Sequence, residues 1–247
     1  MSSAAPIGFP FIELRKVEST NNYAMGLIHA GMAQHGTAVF AHEQTKGKGQ
    51  RNKQWLSAPS KNIILTLIVD PFGLDVCKGF LLSMAVANGV HNFFESHAAE
   101  GIKIKWPNDL YSCDRKAGGI LIENVIRGNR WMHAVIGIGL NINQTDFGGF
   151  SKAISLKQIT GKTYDLVIMA KELLVFLDRS FQELINNPAD IPRYYHNHLY
   201  KLNEKVQLKE RDSIIEGTLK GVSPDGMLVV KHQEQEKFFK VGEVEWL

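Results

Sequence analysis

The sequence predicts an α/β domain, in which helices flank a sheet, followed by a small β-barrel. Two long amphipathic stretches lie among β-branched runs up to about residue 200, and only short strand-like runs follow. Short strands at close, regular spacing are typical of a small barrel. We therefore expect two domains, residues 1–199 and residues 200–247.

Length and composition limit the class of protein. The chain has 247 residues, 44% of them hydrophobic, and a formal charge of +3, which is too small to indicate a nucleic-acid binder by itself. Cys77 and Cys113 are the only cysteines, and their dissimilar surroundings favour reduced thiols. The first 16 residues lack a secretory pattern and no apolar run is of membrane length, so we expect a cytoplasmic protein.

The first third of the chain predicts a helix, two strands and a long loop. Ser19, Thr20 and Asn21 precede a helix predicted over residues 22–30, which Gly31 can end. Strands are predicted over 37–43 and 62–70, and a polar loop, residues 44–54, joins them. A loop of this length between strands is often functional.

The rest of the chain alternates between helical and strand patterns. We predict a long helix capped by Asp75, strands over 102–106, 120–126 and 131–138, and a second long helix over 165–185. Gly128 and Asn129 form the turn between the last two of these strands. Barrel strands are predicted over 205–208, 213–221, 227–231 and 237–241. Apolar positions on the first long helix are ordinary core residues: Phe80, Leu81, Met84, Val90, Phe93 and Phe94.

Residues 105–121 carry the strongest sign of chemistry. Ile102, Ile104 and Trp106 alternate with lysines, which predicts a half-buried strand that Pro107 ends. Asn108, Asp109 and Lys116 follow directly. Polar side chains fixed just past a strand suit a reaction that needs oriented charge.

A basic loop and several weaker motifs leave alternatives open. Residues 46–53 hold four cations, two glycines and no acid, so the loop either binds an anion or is a solvated surface loop. Asn141 and Asn143 either contact a ligand or form a turn. A P-loop would require glycine at the position of Leu156, and a dinucleotide fingerprint would require glycine at the position of Ile142. Both motifs are therefore excluded. The histidine spacing, including the pair His196 and His198, predicts no structural metal.

In their order along the chain, these motifs resemble those of the biotin-protein ligases. The resemblance covers essentially the whole chain. It rests on five blocks: Ser19-Thr20-Asn21, Gln44 with residues 47–55, residues 105–109, Lys116 with residues 118–121, and residues 139–143. It implies a class II synthetase-like catalytic domain with a mixed, largely antiparallel sheet, followed by a C-terminal SH3-like β-barrel.

The resemblance implies a two-step reaction in one site. Biotin and ATP form biotinyl-5′-adenylate, and a lysine of a biotin carboxyl carrier domain, part of a biotin-dependent carboxylase, then accepts the biotin. The implied catalytic residues are Lys116, Arg51, Asn108 and Asp109. The implied biotin-binding residues are Ser19, Thr20, Asn21, Gln44, Gly47, Lys48, Gly49, Gly118 and Gly119. The implied ATP-binding residues are Gln50, Arg51, Trp55, Lys116 and Asn141.

Cofactor and partners follow from the same resemblance. Mg²⁺ enters with ATP, no set of protein side chains alone forms a metal site, and Asp109 is the one candidate ligand. We expect no nucleic-acid or membrane partner, and a homodimer stays open. Some members of the family begin with a helix-turn-helix domain, for which this sequence leaves no room before Ser19, so we expect a monofunctional enzyme.

One departure from the family concerns the basic loop. Many relatives carry several arginines there, whereas this sequence has Lys48 and Gln50 and keeps only Arg51. Lysine lacks the bidentate fork of a guanidinium. We therefore predict that Arg51 retains the adenylate.

Two other functions are weighed against the biotin ligase. A lipoate-type ligase has a similar fold, and Gln44 beside the glycine-rich loop favours biotin. A nucleic-acid-binding module would use the basic loop and the barrel, and its affinity would fall steeply with salt. The near-balance of 28 basic and 25 acidic residues argues against that module.

Overall fold

A computed structural model describes residues 6–98, 101–149 and 152–247. Residues 1–5 of the predicted first domain therefore lie outside the described part. The strands of the first sheet are β1 (Phe11–Leu14), β2 (Ala38–Ala41), β3 (Ile63–Val69), β4 (Ile102–Lys105), β5 (Asp109–Ser112), β6 (Arg115–Arg127) and β7 (Arg130–Leu140). The helices are α1 (Thr20–His29), α2 (Gly79–Ala98), α3 (Leu156–Thr160), α4 (Leu166–Asn186) and α5 (Asp190–Asn197).

The first sheet is mixed and largely antiparallel, as the sequence predicts. Its seven strands run in the order β1-β2-β3-β7-β6-β5-β4, and only the pairing of β1 with β2 is parallel. Side chains alternate between the two faces of each strand. In β3, Leu65 and Leu67 join the main core with α2 and α4, whereas Ile68 packs on the other face with Ala24 of α1. The sheet is therefore covered on both faces.

The last strands form a second, five-stranded sheet. These strands are β8 (Lys205–Glu210), β9 (Ser213–Val222), β10 (Leu228–His232), β11 (Gln235–Phe239) and β12 (Glu245–Trp246). Their order is β11-β10-β9-β8-β12 and every pair is antiparallel. This sheet corresponds to the SH3-like barrel that the sequence predicts.

Local signals explain where the helices begin. Ser19 Oγ accepts a hydrogen bond from the Asn22 N–H, and Asp165 accepts from Val167 N and Ile168 N. These caps satisfy N–H groups that have no partner inside the helix. The predicted cap by Asp75 is wrong: its side chain makes no capping bond, because a short 3₁₀ turn, Val76–Lys78, intervenes before α2.

Several elements escaped the sequence prediction. They include β5, β12, α3, α5 and the first residues of β6, Arg115–Gly119. Cys77 and Cys113 are unpaired and exposed. Among the described residues, every helix is too short or too polar to cross a bilayer.

Candidate active site

The candidate site is a cleft of about 410 Å³ on the α1 side of the first sheet. Five parts of the chain line it: the start of α1, residues 48–55, the middle strands of the sheet, residues 105–109, and residues 241–246. The basic loop and the residues that follow β4 therefore meet in one place. The C-terminal residues that complete the cleft carried no functional signal in the sequence.

Glycines on one face of β6 and β7 leave the floor of the cleft without side chains. Gly119 of β6 is paired with Gly139 of β7, and Gly137 lies on the same face of β7. A Cβ atom at Gly139 would lie 2.5 Å from the Trp55 ring, and one at Gly137 would lie 2.3 Å from Asn21 Oδ1. Only glycine permits this close approach. Gly137 and Gly139, whose spacing resembles the start of a dinucleotide fingerprint, therefore belong to strand β7 and leave its cleft-facing side without side chains.

A neutral polar network lines one end of the cleft. Gln44 Oε1 accepts hydrogen bonds from the Thr20 N–H at 2.8 Å and from Thr20 Oγ1 at 3.2 Å. Thr66 Oγ1 lies 2.8 Å from Thr20 Oγ1 and 2.6 Å from Asn21 Oδ1. Asn21 Nδ2 then donates to Glu123 at 2.7 Å. These contacts fix the orientations of Thr20, Asn21 and Gln44 at this end of the cleft.

Cations line the other end. Lys116 Nζ is 2.6 Å from Asp109 Oδ1 and lies over the Trp55 ring, 5.8 Å from its centroid. Asn108 Nδ2 donates to the Ile120 carbonyl, which holds the segment after Pro107 against β6. The ammonium of Lys116 is thereby held in the cleft, beside Asp109 and the Trp55 ring.

The basic loop reaches across to the second sheet. Arg51 has φ 55° and ψ 44°, a left-handed conformation that costs a non-glycine residue about 1–2 kcal/mol. Its guanidinium packs so closely against Gly242 that a Cβ atom at that residue would lie 2.2 Å from Arg51 Nη2. Arg51 Nη1 is 4.0 Å from Glu245 Oε1. The other loop cation, Lys48, contacts the first sheet, where its Nζ is 3.6 Å from Glu123 Oε1. The two cations therefore face different partners, and Arg51 is the one at the junction with the C-terminal residues.

Lys105 lies among aromatic rings at the edge of the cleft. Its Nζ is 4.4 Å, 5.3 Å and 4.9 Å from the ring centroids of Tyr111, Tyr200 and Trp246. Burial lowers the pKa of Lys105 to about 8, while the nearby Asp109 carboxylate and the ring faces favour the charged form. Trp246 belongs to β12, so this lysine also contacts the second sheet.

The structure brings most of the predicted site residues together. Those lining the cleft are Ser19, Thr20, Asn21, Gln44, Lys48, Gly49, Gln50, Arg51, Trp55, Asn108, Asp109, Lys116 and Gly119. Gly47, Gly118 and Asn141 do not line it. A Cβ at Gly47 would meet Gln44 Nε2 at 2.5 Å, and one at Gly118 would meet Leu140 at 2.4 Å, so both permit close packing behind the cleft.

Asn141 has a different position from the one expected of an ATP-binding residue. It is buried, and its Nδ2 donates to the carbonyls of Lys116 and Ile154 at 3.2 and 3.1 Å. Both N–H bonds of the amide are therefore used by the main chain. Asn141 fixes the start of β6, which carries Lys116.

Some residues in or beside the cleft were missed by the sequence analysis. Thr66 and the Glu123 carboxylate do not line the cleft but hydrogen-bond to Asn21, which does, and Thr66 could have been found as the one polar residue in the apolar run of β3. Gly242, Glu245 and Trp246 reach the cleft only because the second sheet folds back on the first, for which no local pattern exists.

The chain belongs to the biotin/lipoate A/B protein ligase family, whose model matches residues 13–141. That span includes Thr20, Gln44, the basic loop, Asp109 and Lys116, and therefore most of the cleft apart from residues 241–246.

Relatives and solved structures agree with this membership. A biotin--[acetyl-CoA-carboxylase] ligase from Paracoccus denitrificans is 27% identical over 94% of this chain and 98% of its own length. A mutant biotin protein ligase from Aquifex aeolicus, solved with biotin, superposes with a TM-score of 0.79 at 25% identity, covering 96% of this chain and 97% of its own. The Aquifex aeolicus enzyme in complex with biotin and ATP gives a TM-score of 0.80 at 24% identity, over the same shares of both chains.

Proposed function

We propose that this protein is an ATP-dependent ligase that converts biotin and ATP into biotinyl-5′-adenylate and then transfers biotin to a lysine of a biotin carboxyl carrier domain. One observation carries the proposal: a single cleft is lined both by neutral hydrogen-bonding side chains, such as Thr20 and Gln44, and by the cations Lys116 and Arg51. A ligand that combines a neutral polar ring, a carboxylate and a nucleotide phosphate fits such a lining. The proposal extends the biotin and ATP complexes of the Aquifex aeolicus enzyme to this chain.

The neutral end suits the ureido ring of biotin. A buried urea has two N–H donors and a carbonyl acceptor, and leaving any of them unpaired costs about 1–3 kcal/mol. The side chains of Ser19, Thr20 and Gln44 offer donors and acceptors at this end without a net charge. The carboxylate at the end of the valeryl chain then points toward Lys116.

The cationic end suits the first chemical step. An oxygen of the biotin carboxylate attacks the α-phosphorus of ATP, the bond to the β-phosphate oxygen breaks, and pyrophosphate leaves. Negative charge increases on oxygens around the α-phosphorus, and preorganised cations stabilise it. Lys116 holds the carboxylate and the α-phosphate together, and Arg51 contributes a second cation from the loop. Trp55 offers a ring face to the adenosine part.

Magnesium enters as part of the nucleotide substrate. Mg²⁺ usually keeps several waters and binds through one or two carboxylates plus phosphate oxygens. Asp109 is the carboxylate next to Lys116, 2.6 Å from its Nζ, and it would offer an oxygen to such an ion. Asp109 and Asn108 therefore orient the phosphates and fit an ion that arrives with them.

In the second step the carrier lysine attacks the acyl carbon of the adenylate. The new amide bond forms, the bond to the phosphate oxygen breaks, AMP leaves, and the amine loses a proton. To test the transfer, the protein is incubated with ATP, Mg²⁺, biotin and a purified carrier domain, with a carrier whose acceptor lysine is arginine as control. A mass gain of one biotinyl group on the first carrier alone is expected, and adenylate formation without any such gain would refute the carrier assignment.

Lipoate is the competing substrate. Its dithiolane ring has no hydrogen-bonding groups, so it would displace water from the polar side chains at this end, such as the amide of Gln44, without replacing the lost hydrogen bonds. We therefore expect calorimetric titration to give an affinity for biotin about tenfold or more above that for lipoate. Equal affinities, or tighter binding of lipoate, would overturn the choice of substrate.

A further inference from the structure

A second cluster of polar side chains lies away from the cleft, between α2 and α5. It contains His91 and Glu95 on successive turns of α2 and His198 just after α5. One ligand atom from each of the three residues lies within 4.8 Å of the other two. The sequence could not reveal this cluster, because His91 and His198 are distant in the chain and His198 is adjacent only to His196.

Backbone carbonyls orient both imidazole rings. His91 Nε2 is 3.0 Å from the Ile102 carbonyl, and His198 Nδ1 is 2.9 Å from the Tyr194 carbonyl. Each carbonyl requires an N–H, so the neutral rings carry their protons at these atoms. The remaining nitrogens, His91 Nδ1 and His198 Nε2, are then unprotonated. Metal-binding histidines usually donate their other N–H to a carbonyl or carboxylate in this way.

The carboxylate and the tyrosine complete the geometry. Glu95 Oε2 is 3.8 Å from His91 Nδ1, and the side chain of Glu95 is 37% exposed, which leaves an entry path. The Tyr194 hydroxyl is 2.9 Å from His91 Nδ1 and 2.7 Å from Asn92 Oδ1. Its single proton can go to Asn92, so the hydroxyl can move away from His91 Nδ1 when that nitrogen binds an ion.

We propose that His91, Glu95 and His198 form a binding site for a divalent transition-metal ion, with Zn²⁺ as the best-suited occupant. Two imidazoles and one carboxylate, with a fourth position left for water, are a ligand set that Zn²⁺ accepts.

A bound ion would tie α2 to the segment that leads into the second sheet. The His198 carbonyl accepts from Ile104 N at 2.9 Å, and Tyr200 N donates to the Ile104 carbonyl at 2.8 Å. Ile104 directly precedes Lys105 at the edge of the cleft. The metal site would therefore stabilise the strand from which the candidate active site is built, without contacting the substrates.

Metal binding can be tested directly on the whole protein after treatment with a chelator. Co²⁺ is titrated while its visible absorption is recorded, Zn²⁺ is then added in competition, and thermal unfolding is followed with and without Zn²⁺. We expect one ion per chain and a rise in Tm of roughly 5 °C at a hundredfold excess of Zn²⁺ over its Kd. Glu95→Gln and His198→Gln should each weaken binding at least about tenfold.

His97→Gln is the matched control, because His97 is on the same helix and 3.2 Å from Glu172 but outside the cluster. It should bind Zn²⁺ like the unmodified protein. Absence of a tetrahedral cobalt spectrum, wild-type affinity in Glu95→Gln, or loss of binding in His97→Gln would overturn the proposal. A cobalt–thiolate charge-transfer band would place the ion at the exposed Cys77 or Cys113 and would also overturn it. If His198→Gln does not fold, Glu95→Gln alone decides.

Discussion

At the residue scale, two charged contacts define the cationic end of the cleft. Lys116 is held by Asp109 at 2.6 Å, and Arg51 is held by the C-terminal residues Gly242 and Glu245. Both cations were predicted from the sequence, because their types and order match a known family. The contacts of these two cations with Asp109, Gly242 and Glu245 were not predicted, because such contacts form only in the folded chain.

Replacement of Lys116 tests its part in the first step. Lys116→Ala should lower kcat/KM for adenylate formation by roughly 10²–10³, because a cation aimed at the developing charge is lost. Pyrophosphate release at saturating ATP and at biotin concentrations well below KM measures the effect. Lys46→Ala is the control, since Lys46 belongs to the same basic region but is exposed and bonded to Glu18. Equal losses in both variants would contradict the role of Lys116.

A comparison of the two loop cations tests adenylate retention. Arg51→Ala should speed dissociation of biotinyl-5′-adenylate by roughly 10–100-fold, the equivalent of about 1.5–3 kcal/mol for a charged hydrogen bond. Lys48→Ala should change it much less, because Lys48 faces Glu123. Dissociation of labelled adenylate during gel filtration measures both variants. If Lys48→Ala alone abolishes retention, Arg51 does not have the assigned role.

The buried Lys105 predicts a dependence of stability on pH. Its folded pKa of about 8 lies below the usual value of 10.5, so between these values the unfolded chain binds a proton that the folded chain does not. The free energy of unfolding should thus rise with pH across this window, by roughly 1–2 kcal/mol because Lys105 is only partly buried. Urea unfolding at pH 8 and pH 10 should show this rise in the wild type relative to Lys105→Met. The exposed Lys205→Met serves as control, and an equal pH dependence in all three would contradict the assignment.

At the element scale, the feature that shapes the site is the glycine-bearing face of β6 and β7. Gly119, Gly137 and Gly139 leave room for Trp55 and Asn21 on the sheet. The apolar pattern predicted the central parts of these strands, over 120–126 and 131–138, and apolar positions at helical spacing predicted the two long helices. The short elements β5, α3 and α5 were missed because polar and turn-forming residues interrupt their patterns, and tertiary contacts rather than local periodicity stabilise them.

A methyl group on this face should disturb the neutral network. Gly137→Ala places Cβ 2.3 Å from Asn21 Oδ1, so Asn21 must move away from Thr66 and Glu123. We expect a loss of about 1–3 kcal/mol in stability and weaker biotin binding. Gly26→Ala on α1 is the control: nothing lies within 4 Å of its Cβ, and alanine favours a helix by about 1 kcal/mol. Thermal unfolding and biotin titration of both variants measure the difference, and an unaffected Gly137→Ala would show that the network tolerates a methyl group.

At the scale of the whole molecule, the two sheets share one core and jointly line the cleft. The main cluster of buried apolar residues includes Leu82 of α2 and Leu208 of β8. Trp106 Nε1 donates to the Gly226 carbonyl at 3.0 Å, and Trp246 Nε1 donates to the Trp106 carbonyl at 3.3 Å. The boundary at residues 199 and 200 stays a prediction, and these contacts indicate that a chain ending at 199 would lose part of its candidate site.

The central claim is that this cleft activates biotin with ATP, and formation of the acyl-adenylate tests it most directly. The protein is incubated with ATP, Mg²⁺ and biotin, and the mixture is analysed for pyrophosphate and, by mass spectrometry, for biotinyl-5′-adenylate. The account predicts both products, about one adenylate retained per chain, and neither product when biotin is omitted. Folded protein that binds biotin but releases no pyrophosphate and forms no adenylate would contradict it.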